Sequence, residues 1–203
     1  WRTAPVILRH RSPYFPLAMT AAIALFGTSA DPPTVGHGSI LRWLGDRFEQ
    51  VVVWVADNPF KQHRATLTHR AAMMELAIAD VGNPKVGLHQ EFSRPRTVET
   101  LALVGARWPD RPLVLVVGAD VVGQIPTWYR GAEVLQRAEL LVMSRAGVSL
   151  DPETVAQIEA LGGKLHWASA AVPPVSSTGY RDRGDRTSVI PSVAAYIEQE
   201  GLY

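Results

Sequence analysis

Several short segments of this chain carry residue types suited to handling phosphates and sugars. The first is GTSADPPTVGHG, residues 27–38, with three glycines, two prolines, one acid and one histidine. Gly27 lets the backbone turn where a Cβ would clash, and Gly36 leaves room for a ligand beside the start of a helix. His37 falls in the first turn of that helix, three residues after Thr34. Free N–H groups and the helix dipole favour an anion there, and both side chains can donate to phosphate oxygens. On spacing alone the segment is either a phosphate cradle or a capping turn with an incidental histidine. It lacks the Gly-Lys-Ser/Thr ending of a P-loop and is not the GxGxxG dinucleotide fingerprint.

Ser176-Ser177-Thr178 with Arg181 combines hydroxyls with a planar guanidinium that suits phosphate oxygens. Taken alone, those hydroxyls read first as an ordinary helix cap. Lys61 follows Asn58-Pro59-Phe60, where a lone lysine is usually a solvated charge. Gly118 and Asp120 could bring backbone and carboxylate to a ribose, or simply end a strand. Trp128 and Tyr129 follow Pro126-Thr127 in a loop, where a large aromatic is less easily explained as core. Thr97 opens a helical segment and reads equally well as its cap.

The elements that must position these residues alternate along the chain. Ala22 to Phe26, Val51 to Val55, Val86 to Leu88, Leu113 to Val117, Leu140 to Met143 and Lys164 to Trp167 read as strands. They are apolar runs, as in strands covered on both faces. Between them, helices are predicted over about 37–48, 68–81, 97–107, 130–137 and 152–161, with a last one over 191–200. Thr68 is expected to cap the second, and Asp151 followed by Pro152 the fifth. Residues 176–185 form a polar segment. The pattern predicts an α/β fold with a doubly wound parallel sheet, whose ligands bind beyond the carboxyl ends of the strands near the switch point. Each segment singled out above, except Thr97 and Trp128-Tyr129, directly follows a strand, and Ser144-Arg145 does too.

The totals set bounds. The chain has 203 residues, a net charge of +1, 47% apolar residues and no cysteine. That suits one globular domain and excludes disulfides, thiolate metal sites and a cysteine nucleophile. The balanced charge gives no argument for a nucleic-acid or membrane partner. No run approaches the ~18 apolar residues of a membrane span. A cytoplasmic setting is compatible with this. Residues 1–18 stand apart, with three arginines, three prolines and no acid. They read as a poorly ordered or appended arm before a single domain over 19–203 that ends in a helical segment.

DPPTVGH at 31–37 resembles the (H/T)xGH signature of the nucleotidyltransferase superfamily. THRAAMMELAIAD from 68, VGAD from 117, PTWY from 126, VSSTGYR from 175 and YIEQEGLY from 196 narrow the likeness. Together, and in this order, they resemble bacterial nicotinate-nucleotide adenylyltransferase. The resemblance implies a Rossmann-like nucleotidyltransferase fold and adenylyl transfer from ATP to nicotinate mononucleotide, giving deamido-NAD and pyrophosphate. It implies ATP phosphate contacts from Thr34, His37, Lys61, Ser177, Thr178 and Arg181, with Gly27, Gly36, Gly118 and Asp120 completing the ATP site. It places Thr97, Trp128, Tyr129 and Arg145 around the mononucleotide. Mg²⁺ would be held mainly by ATP phosphates and water, with no protein metal cage. The implied partners are the two nucleotides, and self-association stays open.

Five residues depart from the family's usual pattern: Thr28 for glycine, Ala30 for phenylalanine, Thr34 for the more frequent histidine, Phe60 for histidine and Arg96 for tyrosine. They leave other acceptors open, among them nicotinamide mononucleotide and phosphopantetheine, as well as a nucleotide-binding module without catalysis.

Overall fold

Alternate residues of most strands enter two different apolar clusters, one on each face of a sheet. The computed structural model describes residues 21–57, 61–143 and 150–203; the arm at 1–18, Phe60 and Arg145 lie outside them. The strands are β1 (Ile23–Thr28), β2 (Gln50–Val55), β3 (Val86–Leu88), β4 (Leu113–Gly118), β5 (Glu139–Met143) and β6 (Leu165–Ala168). In β1, Ala24 and Phe26 pack into one cluster, Ile23 and Leu25 into the other; in β2, Val51 and Val53 face one way, Val52 and Trp54 the other. A strand with two apolar faces must be covered twice, which is why these runs show no polar alternation.

The first face is covered by α1 (Val35–Gly45), α2 (Leu67–Val81) and α8 (Pro191–Glu200), through Leu41, Leu44, Met73, Met74, Ala77, Val193 and Ile197. The second is covered by α3 (Thr97–Arg107), α4 (Ala119–Val122), α5 (Gly131–Arg137) and α6 (Pro152–Ala160), through Leu101, Val104, Val122, Val134, Leu135 and Ile158. A further helix, α7 (Ser177–Arg183), follows β6. No helix among the described residues is long and apolar enough to cross a membrane.

The six strands are parallel in the order β3-β2-β1-β4-β5-β6. The chain winds outward from β1 in one direction and from β4 in the other. The connections leaving β1 and β4 therefore diverge, opening a crevice at their carboxyl ends.

Two local expectations change. Thr66, not Thr68, caps α2: its backbone is extended and its hydroxyl accepts from the His69 N–H at 3.3 Å, while Thr68 already lies within the helix. The polar segment at 176–185 contains α7, whose seven residues bury only Gly179 and so carry no apolar stripe. Single 3₁₀ turns at 90–92, 125–127 and 186–188 are likewise too short to leave a periodic signal.

Candidate active site

The loop from β1 to α1 begins at Gly27, over which the Trp54 indole lies; a Cβ there would overlap the ring. Thr28 ends the strand and Thr34 precedes α1. His37, one turn into α1, is gripped at both ring nitrogens. The Thr34 backbone N–H donates to Nδ1 at 3.0 Å, the Thr34 hydroxyl lies 2.9 Å from the same nitrogen, and the Thr28 hydroxyl lies 3.1 Å from Nε2. Thr34 is buried, and its backbone bridges to Val189. Gly36 is bordered by the chain itself: a Cβ there would come within 3.3 Å of Thr34 Oγ1 and 3.4 Å of Val175. Its missing side chain thus lets the segment after β6 pack on α1, where the sequence suggested room for a ligand.

Asp31 anchors the loop. It is 2% exposed, and its carboxylate accepts from the Arg64 N–H at 2.9 Å, the Ala65 N–H at 3.1 Å and the Tyr203 hydroxyl at 2.6 Å. Arg181 Nη1 stands 3.5 Å from the carboxylate and donates to the Asp31 carbonyl. Burial alone would raise the Asp31 pKa, but the hydrogen bonds from Tyr203, Arg64 and Ala65 and the charge of Arg181 outweigh it and hold the carboxyl below its ordinary value. Burial and the bond to Asp31 push the Tyr203 phenol upward, so it stays a donor.

Arg70, 1% exposed, supports the same loop from α2. It donates to the carbonyls of Ser29, Ala56 and Ala65 and to the Asp57 carboxylate, at 2.9–3.2 Å. Ala30, between Ser29 and Asp31, takes φ 44°, a left-handed conformation that costs an alanine on the order of 1 kcal/mol. The flanking hydrogen bonds hold it there.

The start of α7 docks on this loop. Ser176 is the cap, accepting from the Gly179 N–H at 3.0 Å. That leaves Ser177 to donate to the Pro32 carbonyl at 2.8 Å, and Thr178 to accept from Arg181 at 3.2 Å. Thr34, His37, Ser177, Thr178 and Arg181 are thus brought together. Lys61 is exposed, and no hydrogen bond or ion pair ties it to this group among the described residues.

At the end of β4, Gly118 makes space for the carboxylate of Asp120, which an added Cβ would strike. Across the crevice, Arg96 occupies the N-cap position of α3 and Thr97 is its first helical residue, so Thr97 is not the cap. The Arg96 guanidinium lies 4.3 Å over the ring of Tyr129, which is 53% exposed. Trp128 beside it is half-buried and packs against the second apolar cluster. The stack joins the connection after β3 to the connection after β4.

Asp31, Arg64, Arg70 and Tyr203 have no assigned role in the sequence reading. Arg70 was findable: it shares the buried stripe of α2 with Met73, Met74 and Ala77, where a charge demands partners. Asp31 and Tyr203 are 172 residues apart and leave no local signal.

A model of the cytidylyltransferase-like family matches residues 25–183. The chain is 39% identical over 196 residues to a Synechocystis protein named "Probable nicotinate-nucleotide adenylyltransferase", covering 89% of this chain and 98% of that one. It is 31% identical to the protein of the same name from Escherichia coli, covering 91% of this chain and all of that one. Among solved structures, nicotinic acid mononucleotide adenylyltransferase of Plasmodium falciparum complexed with NaAD matches with a TM-score of 0.75 at 16% identity, over 89% of this chain and 96% of that one. The same protein complexed with APC gives 0.71 at 18%, over the same shares of the two chains. At those identities the likeness is one of fold.

Proposed function

Because this chain belongs to the nicotinate-nucleotide adenylyltransferases of the cytidylyltransferase-like family, we propose that it transfers the adenylyl group of ATP to nicotinate mononucleotide, releasing pyrophosphate. The observation that carries the reading is the docking of Ser177 and Arg181 on Pro32 and Asp31, beside His37, at the switch point of the sheet. Two segments far apart in sequence thereby place imidazole, hydroxyls and guanidinium around one loop.

The chemistry asks little of the protein beyond placement. The mononucleotide phosphate, with a second pKa of ~6, is largely a dianion at neutral pH and needs no general base. One of its oxygens attacks the α-phosphorus of ATP in line. The bond from that phosphorus to the bridging oxygen breaks, and the electron pair leaves with pyrophosphate. Charge must be neutralised at the α-phosphate and on the leaving group. His37 donates to phosphate oxygens, and Thr34 holds its ring. Arg181, with Lys61, Ser177 and Thr178, balances the pyrophosphate.

Gly27 and Gly36 shape the loop. Gly118 and Asp120 face the ATP ribose. Trp128 stacks on the nicotinate, with Thr97, Tyr129 and Arg145 around it. Mg²⁺ bound with ATP would supply further charge neutralisation. Such an ion would be carried on ATP phosphates and water, since the carboxylate of Asp31 is already engaged by Arg64, Ala65 and Tyr203.

The test is pyrophosphate release from ATP with nicotinate or nicotinamide mononucleotide, for the wild type and for His37→Ala. Turnover with the acid, little with the amide, and a loss of roughly 10²-fold or more in the variant are expected. Absence of turnover with either mononucleotide would overturn the reading, and equal turnover with both would overturn the acid specificity.

A further inference from the structure

We propose that Thr28 is a positioning residue, whose hydroxyl holds the Nε2–H of His37 in the orientation from which it is handed to a phosphate oxygen. The backbone N–H of Thr34 donates to Nδ1 at 3.0 Å, and a backbone N–H can only donate. Nδ1 is therefore unprotonated and the ring proton is on Nε2. Nε2 lies 3.1 Å from the Thr28 hydroxyl oxygen, which consequently accepts. The ring is fixed in tautomer by one threonine and in direction by the other.

Thr28 is well placed for this. It is the last residue of β1, paired with Val55, and its carbonyl accepts from the Ala56 N–H at 2.8 Å. Its side chain is thus set by the sheet rather than by the loop. The acceptor is neutral, so an incoming phosphate oxygen makes the stronger bond to the same N–H and displaces it. The donor needs no reorientation at that moment, which is what preorganisation requires. A glycine at this position would leave the ring without that restraint. The two threonines that depart from the family's usual choices in this loop both hold ring nitrogens of His37.

The inference rests on reading His37 as a phosphate donor, and the experiment separates the two. Nitrogen-15 NMR of histidine side chains in the substrate-free protein, with His37 assigned through His37→Ala, reads the tautomer and the exchange protection of Nε2–H. Turnover is measured in parallel for Thr28→Val, Thr28→Ser and the Thr28→Val/His37→Ala pair. The wild type is expected to show one Nε2–H tautomer. Thr28→Val should lose the protection and lower kcat/KM for ATP about 3- to 10-fold, the range of one hydrogen bond. Thr28→Ser should restore both. In the His37→Ala background Thr28→Val should cost nothing further, since its effect passes through the ring.

Should valine not fold here, Thr28→Ala supplies the same comparison. An unchanged His37 signal in the variant, or a loss as large without His37 as with it, overturns the proposal. If the wild type turns nothing over, the NMR arm still decides the role of Thr28, while the assigned reaction fails.

Discussion

The two sides of the crevice are built to different standards. On the α1–α7 side, Asp31 takes donors from Arg64, Ala65 and Tyr203 and an ion pair from Arg181, while Arg70 closes on three carbonyls beneath it. On the α3–α5 side, one guanidinium–ring stack joins Arg96 to a largely exposed Tyr129, and no carboxylate lies within 4 Å of Arg96 among the described residues. Buried, fully satisfied networks give a unique geometry. A solvent-facing stack does not, and its residues must still be ordered when a ligand arrives, at ~0.5–1.5 kcal/mol per side chain. The side proposed for phosphates is set before substrate comes. The side proposed for the mononucleotide is completed by it.

The largest effect should come from breaking the set side. Arg70→Met keeps much of the side chain's volume in α2 but strands the carbonyls of Ser29, Ala56 and Ala65, and it removes the 2.9 Å ion pair with Asp57. The Asp57 side chain is 67% exposed and is rehydrated, so the cost is that of stranding buried acceptors, roughly 1–3 kcal/mol. A fall of that size in unfolding free energy is expected from denaturant titration, with a raised KM for ATP in whatever folds. A loss under 1 kcal/mol would mean that the loop is held elsewhere.

The open side should respond in binding and little in folding. Trp128→Ala removes a half-buried ring that packs on the second apolar cluster at its edge. If stacking is its role, the mononucleotide should bind more weakly by ~1–3 kcal/mol, or about 5- to 150-fold in KM. ATP affinity should be unchanged, and Trp128→Phe should recover much of the loss. Equal weakening of both substrates would remove the distinction between the two sides.

This division also separates what the sequence discloses from what it hides. The sheet is legible because Val51–Val55 and Leu113–Val117 are unbroken apolar runs, and α6 because Asp151 and Pro152 mark its start. His37, Ser177 and Arg181 are legible as candidates because each lies in a connection after a strand, while their shared phosphate role comes from the family resemblance and not from local pattern. What positions them is not: Tyr203 reaches Asp31, and Arg64 donates to the carbonyl of Arg181, across more than a hundred residues. Local pattern carries no term for such pairs. The stack of Arg96 on Tyr129 is hidden for the same reason: each residue is visible in the sequence, but their pairing is not.

The smallest expected effect tests the set side through pH. His63 lies in the segment that brings Arg64 and Ala65 to Asp31, and its Nε2 is buried with no hydrogen-bond partner among the described residues. Burial, and then the charge of Arg70, lower its pKa below the ordinary 6.5. The unfolded chain therefore takes up this proton more readily than the folded one, so stability falls as pH drops below about 6.5 toward the folded pKa. Asp31 behaves as a carboxylate with a lowered pKa: its contribution is present above 3.8 and is lost as pH falls through the still lower folded value. Acid unfolding should show a shallow step from His63 well before the step from Asp31. His63→Gln should flatten the first and leave the second, as read from thermal midpoints between pH 7 and 3. Trp128→Ala, on the open side, should leave both in place, and a first step that survives His63→Gln would assign it to another group.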